Sequence, residues 1–238
     1  MDITVIILIL VGALVIYFAT RFMSNLLKIV TKVLLLVVLV LVILTALVYK
    51  DMTDLKKGFE TSNNTFFLYE NNKLYTALTL KPLTNLTLSI DSFNFFSNEE
   101  LQKFETELND KNNSALLENN YKVLILKPIV INKPYNFSLG AQLTEGDLLE
   151  VIMSDNASQT LAEKASAGYG MSAEKLAPEL EQVYGGEEKI KAYLFAALLG
   201  NYFQTQTPGE LTKNIKDGRI VIYPETISFK IIKYLPWV

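Results

Sequence analysis

Two apolar runs, Ile3 to Thr20 and Val33 to Tyr49, occupy the first fifth of this 238-residue chain, and only polar or mixed sequence follows them. The first carries no charge between Asp2 and Arg21, the second none between Lys32 and Lys50. At about 1.5 Å per residue, a helix of roughly eighteen residues reaches about 27 Å, close to the depth of a hydrocarbon core. The second run is at the short end of that range. Lys28 and Lys32 share one helical face, and their stems can lengthen the span by reaching toward the headgroups. The pattern predicts a two-helix transmembrane hairpin over residues 1–50, with spans at about 3–20 and 33–49 and a tight turn from Arg21 to Lys32. A cleaved signal peptide fits poorly, because Met1-Asp2 has no basic residue and Thr20-Arg21-Phe22 is no small-residue cleavage site.

Lys and Arg near the span ends set orientation. Arg21, Lys28 and Lys32 lie in the turn without an acid among them, whereas Lys50, Lys56 and Lys57 are mixed with Asp51, Asp54 and Glu60. This favours a cytoplasmic turn, with both termini and the C-terminal domain outside, and makes Arg21, Lys28, Lys32 and Lys50 the candidate membrane-interface residues. Five Asn-x-Ser/Thr acceptor sequences, at Asn63, Asn85, Asn112, Asn136 and Asn156, all follow the apolar segment. Chance would place about two in a domain of this composition. They are the candidate N-glycosylation sites, and their use would put the domain outside the cytoplasm.

The chain has neither cysteine nor histidine. No disulfide can staple the domain, so its core alone must hold it, and its length is sufficient for that. Four of the 22 basic residues and one of the 25 acids belong to the apolar segment, leaving 18 and 24, a net charge of −6 from Asp51 onward. Such a surface argues against nucleic acid, whose affinity comes largely from phosphate neutralisation. The expected partners are the lipid bilayer and another membrane or envelope protein, a second copy of the chain included.

Beyond the membrane segment, a connector at 51–64 could extend the second helix until Gly58 stops it. Residues 65–238 read as a single water-soluble α+β domain. Phe66 to Tyr69 and Leu74 to Leu80 flank a hairpin turn at Glu70-Asn71-Asn72-Lys73, and Leu86 to Ile90 alternates at period two. Asn98 to Asn109 has helical spacing after a Ser97 or Asn98 cap. Tyr121 to Leu126 is a further strand, after which Pro128 and Pro134 bound Ile129 to Asn132. This part predicts a mainly antiparallel sheet with one helical crossover. From Thr144 to Lys216 the signals are helical: Thr144 with Asp147 as a capping box, breaks at Ser154-Asp155-Asn156, Gly168 with Gly170, and Gly185-Gly186. The helix from Glu187 to Phe203 is apolar on most faces and is the expected centre of the core. Its uninterrupted apolar part, about ten residues, is too short to cross a bilayer. Ile220 to Tyr223 and Ile227 to Tyr234 read as a closing hairpin, followed by an aromatic tail in which Trp237 packs on the domain.

Without His or Cys, histidine-activated nucleophiles and histidine-ligated metals are excluded. Ser172-Ala-Glu-Lys175 and Ser154-Asp155-Asn156 resemble the S-x-x-K and S-D-N elements of penicillin-binding proteins and β-lactamases. Their order is reversed here and no Lys-Thr-Gly follows, so the resemblance implies no activity. The carboxylate pairs Glu99-Glu100, Glu105 with Asp110, and Glu187-Glu188 could do glycosidase work only if two converge in a cleft. Asp147, Glu150, Asp155 and Glu163 could hold a hard cation but lack EF-hand spacing. Gly168-Tyr-Gly170 is no phosphate loop. Neither span has an ionisable residue at mid-depth, against a transport role. No catalytic residue, cofactor or metal is expected. The sequence predicts a membrane-anchored, extracytoplasmic binding or scaffolding module. The alternatives are an envelope hydrolase using carboxylates or a Ser-Lys pair, and a subunit of an oligomeric assembly or pore.

Overall fold

The second apolar run and the polar connector after it form one uninterrupted helix, α1 (Asn25–Thr61), 37 residues long. The computed structural model describes residues 11–14, 16–17, 25–82, 92–132, 136–139 and 141–233. Among these, one helix is long and apolar enough to cross a membrane, Lys32–Leu55. Most of its described apolar side chains ahead of Lys50 are exposed, Leu36 by 61% and Tyr49 by 73%, whereas Leu55 is buried. Only 11–14 and 16–17 of the first run are described, and they are helical; the rest of that expected span, and Arg21, lie outside the described residues. Lys28 and Lys32 belong to α1 and not to a turn, since Leu26 to Val30 contains nothing that would break a helix.

The chain divides into two compact units, Met1–Lys50 and Asp51–Val238. Within the second, α1 runs through Gly58, the expected stop. A Cβ at Gly58 would lie 2.1 Å from Cε1 of Tyr121, so this glycine provides room for a ring, and the helix tolerates its cost of about 1 kcal/mol. The helix ends where Asn64, fully buried, donates from Nδ2 to the carbonyls of Gly58 (3.1 Å) and Ser62 (2.7 Å). The Gly58 carbonyl also accepts the Ser62 N–H at 3.0 Å, so the Asn64 side chain adds a second donor there and pairs the Ser62 carbonyl just beyond the helix. Next to Tyr121, the Lys122 ammonium donates to the Pro224 carbonyl, and burial pushes its pKa down while the Asp51 charge partly offsets this.

Five strands form the central sheet: β1 (Asn64–Glu70), β2 (Lys73–Leu80), β3 (Phe93–Phe95), β4 (Lys122–Leu126) and β7 (Ile220–Tyr223), in the order β3-β2-β1-β4-β7. The β1–β4 pair is parallel and the other pairs are antiparallel. β5 (Asn136–Leu139) and β6 (Ala141–Thr144) make a separate two-stranded ribbon. The β1–β2 turn has Asn71 and Asn72 at φ of 53° and 62°, the left-handed region that asparagine tolerates better than most residues. The expected strand at Leu86 to Ile90 lies outside the described residues.

Alternation along the strands gives the sheet two buried faces. On one, Phe67, Ala77 and Val123 pack under α2 (Asn98–Asn109), which contributes Phe104 and Leu108, and under Leu116 of α3 (Asn113–Leu117). On the other, Phe66 meets Phe203 of α8 (Glu187–Thr205) edge to face at 5.8 Å. The segment between Pro128 and Pro134 opens as a short helix, α4 (Pro128–Ile131), with its proline at the first position where φ is preset.

The helical stretch resolves into α5 (Glu145–Met153), α6 (Ala157–Tyr169), α7 (Ala173–Tyr184), α8 and α9 (Pro208–Lys216). Capping boxes start α2 at Ser97 with Glu100 and α5 at Thr144 with Asp147, while Gly170 (φ 64°) and Gly185 (φ 79°) end α6 and α7. Gly168 lies inside α6. Phe195, Leu194, Leu198 and Tyr202 of α8 are fully buried. Tyr202 accepts a hydrogen bond from Asn214 Nδ2 at 3.1 Å, and burial pushes its pKa up to about 12.

The expected C-terminal hairpin is half correct. Ile220–Tyr223 is β7, but the second arm is a helix, α10 (Ile227–Ile232). The Thr226 hydroxyl accepts from the Phe229 N–H at 3.3 Å and starts the helix. Phe229 and Ile232, three apart, are buried together, while Ile227 is 75% exposed, so the covered pattern has helical and not strand period. Residues 234–238, Trp237 among them, lie outside the described residues.

Candidate functional site

A cleft of 310 Å³ opens where the start of β2, α2, the end of α5 and α8 meet. A β-bulge lies in its wall: Leu68 pairs with Thr76 but Tyr69 pairs with Leu74, so Tyr75 has no partner across the strands. A regular strand turns every second side chain away, whereas here Lys73, Leu74 and Tyr75 all line the cleft. The Leu74 N–H donates to Glu105 Oε1 on α2 at 3.1 Å, which ties the bulge to that helix. Tyr69 donates to Asn109 Oδ1 at 2.7 Å; burial and the Glu105 charge raise its pKa.

Two lysines and two glutamates line this space: Lys73 on β2, Glu105 on α2, and Glu188 with Lys191 on α8. Lys73 pairs with Asp155 at 3.0 Å, and this hydrogen bond raises the Lys73 pKa and lowers that of Asp155. A lysine so held stays an ammonium at neutral pH and does not act as a base there. On α8, Lys191 pairs with Glu188 one turn earlier at 3.3 Å. Lys191 is 8% exposed although it lies between Ile190 and Ala192. Asn98, Gln102 and Ser154 complete the polar lining, with Leu101, Ile152 and Met153 as its apolar part. The cleft can hold a small polar ligand by charge-assisted hydrogen bonds.

The sequence singled out Glu105 and Glu188 as members of carboxylate pairs, and the structure brings these two to one cleft, whose lining includes neither Asp110 nor Glu187. The Asp110 N–H closes the end of α2 on the Thr106 carbonyl. Glu187 accepts from the Ser158 N–H at 2.9 Å and from the Ser158 hydroxyl, capping α6 from another helix. Glu100 accepts the Ser97 N–H. Lys73 and Lys191 went unnoticed as site residues; a lysine between Ile190 and Ala192 in an otherwise apolar helix is the signal that could have revealed the second.

Asp147 and Glu150, considered for a hard cation, share the Lys164 ammonium at 2.9 and 2.8 Å. Asp155 belongs to Lys73, and Glu163 accepts from Gln159. Among the described residues no three such side chains converge to hold a metal ion. Hydrogen bonds from Thr144 and then Lys164 lower the Asp147 pKa from 3.8 to about 2. A carboxylate whose folded pKa is depressed stabilises the fold above its unfolded pKa and loses that contribution as pH falls. The contribution is fully present above about pH 5 and disappears on descending toward pH 2, and screening at this part-exposed site holds it to about 1 kcal/mol. Asp147→Asn is therefore expected to flatten the acid limb of a stability-versus-pH curve between pH 4 and pH 2. An unchanged limb would show that the Thr144 and Lys164 bonds do not persist in solution.

Ser172 occupies the N-cap position of α7 without a side-chain capping bond, and both it and Lys175 are exposed. The Ser154 hydroxyl is bonded to Thr160 at 2.8 Å. The two motifs are thus not assembled into one site. Of the acceptor asparagines, Asn112 and Asn156 are exposed, and Asn112 Oδ1 accepts from the Ser114 hydroxyl of its own sequon at 2.9 Å. Asn63 is half-buried, with Thr65 of its sequon buried and bonded to Thr79 at 2.7 Å. Asn136 lies in β5, and Asn85 is outside the described residues. Lys32 and Lys50 are exposed on α1.

No protein family, curated protein or solved structure matches the chain.

Proposed function

We propose that the chain is a membrane-anchored binding module whose domain from Asp51 onward lies outside the cytoplasm and takes its ligand in the cleft between α2 and α8. The observation that carries this reading is the continuity of α1, which joins an exposed apolar stretch able to cross a membrane to a domain with a charged, water-accessible cleft. An apolar helix this long is stable only where its side chains leave water. The run from Ile3 to Thr20 supplies the other half of a two-span hairpin, and the basic residues Arg21, Lys28 and Lys32 between the two runs favour both termini outside. Exposed acceptor asparagines at Asn112 and Asn156 suit that location.

The charged groups of the cleft favour binding over catalysis, because one oxygen of Glu105 holds a backbone N–H and Glu188 is paired with Lys191. The convergence of these two carboxylates on one cleft is also what a carboxylate hydrolase would need, and it keeps that second reading alive. Glu105→Gln distinguishes them: a hydrolase loses turnover of a glycoside panel by orders of magnitude, whereas a binding module shows no turnover to lose.

Location is tested by alkaline extraction and protease shaving of intact cells. The full-length chain is expected to stay with the membrane pellet at high pH and to lose the domain to external protease. Recovery in the supernatant would overturn the anchor, and full protection from protease would overturn the orientation.

A further inference from the structure

Burying an ammonium costs several kcal/mol unless acceptors surround it. Lys191 is 8% exposed, and among the described residues its one hydrogen bond is the 3.3 Å contact with Glu188. An ammonium has three donors, so two of them have no acceptor among the described residues. The nearby Asp155 charge is already bonded to Lys73. On the α2 wall, Glu105 uses Oε1 for the Leu74 N–H, and its second oxygen receives no donor among the described residues. The cleft thus presents spare hydrogen-bond donors on a buried cation and a spare acceptor on a carboxylate.

We infer that the cleft binds a small zwitterion, with an anionic group on Lys191 and an ammonium group on Glu105. This rests on the cleft being the ligand site, as proposed above. Lys73 is matched by Asp155 and Glu188 by Lys191, which leaves the remaining donors of Lys191 and the second oxygen of Glu105; a ligand of one sign serves only one of these, and a zwitterion serves both. A volume of 310 Å³ is at the lower end for ligand sites and suits an amino acid or an aminoalkyl phosphate. The same chemistry occurs in a free amino acid and in the phosphoethanolamine headgroup of a lipid.

The test is calorimetric titration of the full-length chain in a neutral detergent at low salt, with β-alanine, phosphoethanolamine, inorganic phosphate and methylammonium as probes. A zwitterion is expected to bind at least about tenfold tighter than either probe of one sign, as loss of one charge-assisted contact implies. Glu105→Gln should weaken it about tenfold, and Gln102→Trp, an exposed residue on the rim, should block it with the far-UV spectrum unchanged. Tighter phosphoethanolamine than β-alanine assigns the lipid headgroup; the reverse assigns free amino acids. Phosphate binding as tightly as both zwitterions, with Gln102→Trp still blocking, overturns the zwitterion and leaves the cleft as a ligand site. Binding of no probe, or binding indifferent to Gln102→Trp, overturns the cleft reading as well.

Discussion

Phe67→Ala is expected to destabilise the domain from Asp51 onward by about 4 kcal/mol, the range for removing a fully buried phenylalanine. Phe67 is 0% exposed at the centre of the sheet, and its ring meets Phe104 edge to face at 5.3 Å. Phe104 in turn meets Phe96 at 4.9 Å, so the truncation opens a cavity under α2 and removes a favourable ring pair at once. For a domain of this size the melting temperature should fall by about 8–16 °C. Val221→Ala, at a position 40% exposed on the edge strand, should change stability by about 0.5 kcal/mol or less. Thermal or urea unfolding followed by circular dichroism reads both. A loss at Phe67 below about 1 kcal/mol would mean that α2 does not cover this face of the sheet.

Gly58→Ala should destabilise the wild-type chain and stabilise a Tyr121→Ala chain. In a helix interior, alanine is better than glycine by about 1 kcal/mol. Here the added methyl would sit 2.1 Å from Tyr121 Cε1 and 2.5 Å from Cδ1, and the nearest atoms all belong to that ring. Displacing the ring costs about 1–3 kcal/mol, as overpacking generally does, and outweighs the helical gain. With the ring removed, the propensity term stands alone and the sign reverses. A double-mutant cycle measures the coupling directly. Additive effects of the two substitutions would show that the end of α1 does not pack on Tyr121.

How far each feature was legible depends on the range of the interaction behind it. The Asn71-Asn72 turn, the Ser97 and Thr144 caps and the glycines at 170 and 185 act within a turn or two of chain, so residue type and spacing revealed them. Gly58 carries two readings because helix stop and close approach use the same residue, and only the arrival of Tyr121, just ahead of β4, tells them apart. The arm from Ile227 was misread because six apolar-rich residues satisfy period two and period three equally well. Burial of Phe229 with Ile232 settled which. In the candidate site, the sequence offers Glu105 and Glu188 only as members of separate carboxylate pairs, because their convergence depends on contacts between distant elements.

By itself, the sequence determined the apolar character of the segment ahead of Lys50, the α+β composition of the domain beyond it, and the local starts and ends of most helices. These depend on side-chain chemistry and on neighbours in the chain. Tertiary structure alone decided that Gly58 makes room for Tyr121 and does not end α1, that β1 and β4 run parallel, and that four separate elements line one cleft with Lys191 and Glu105. The physical reason is that burial, and with it the cost of an unmatched charge, is a property of the closed fold and cannot be assigned to a residue until its distant neighbours are in place.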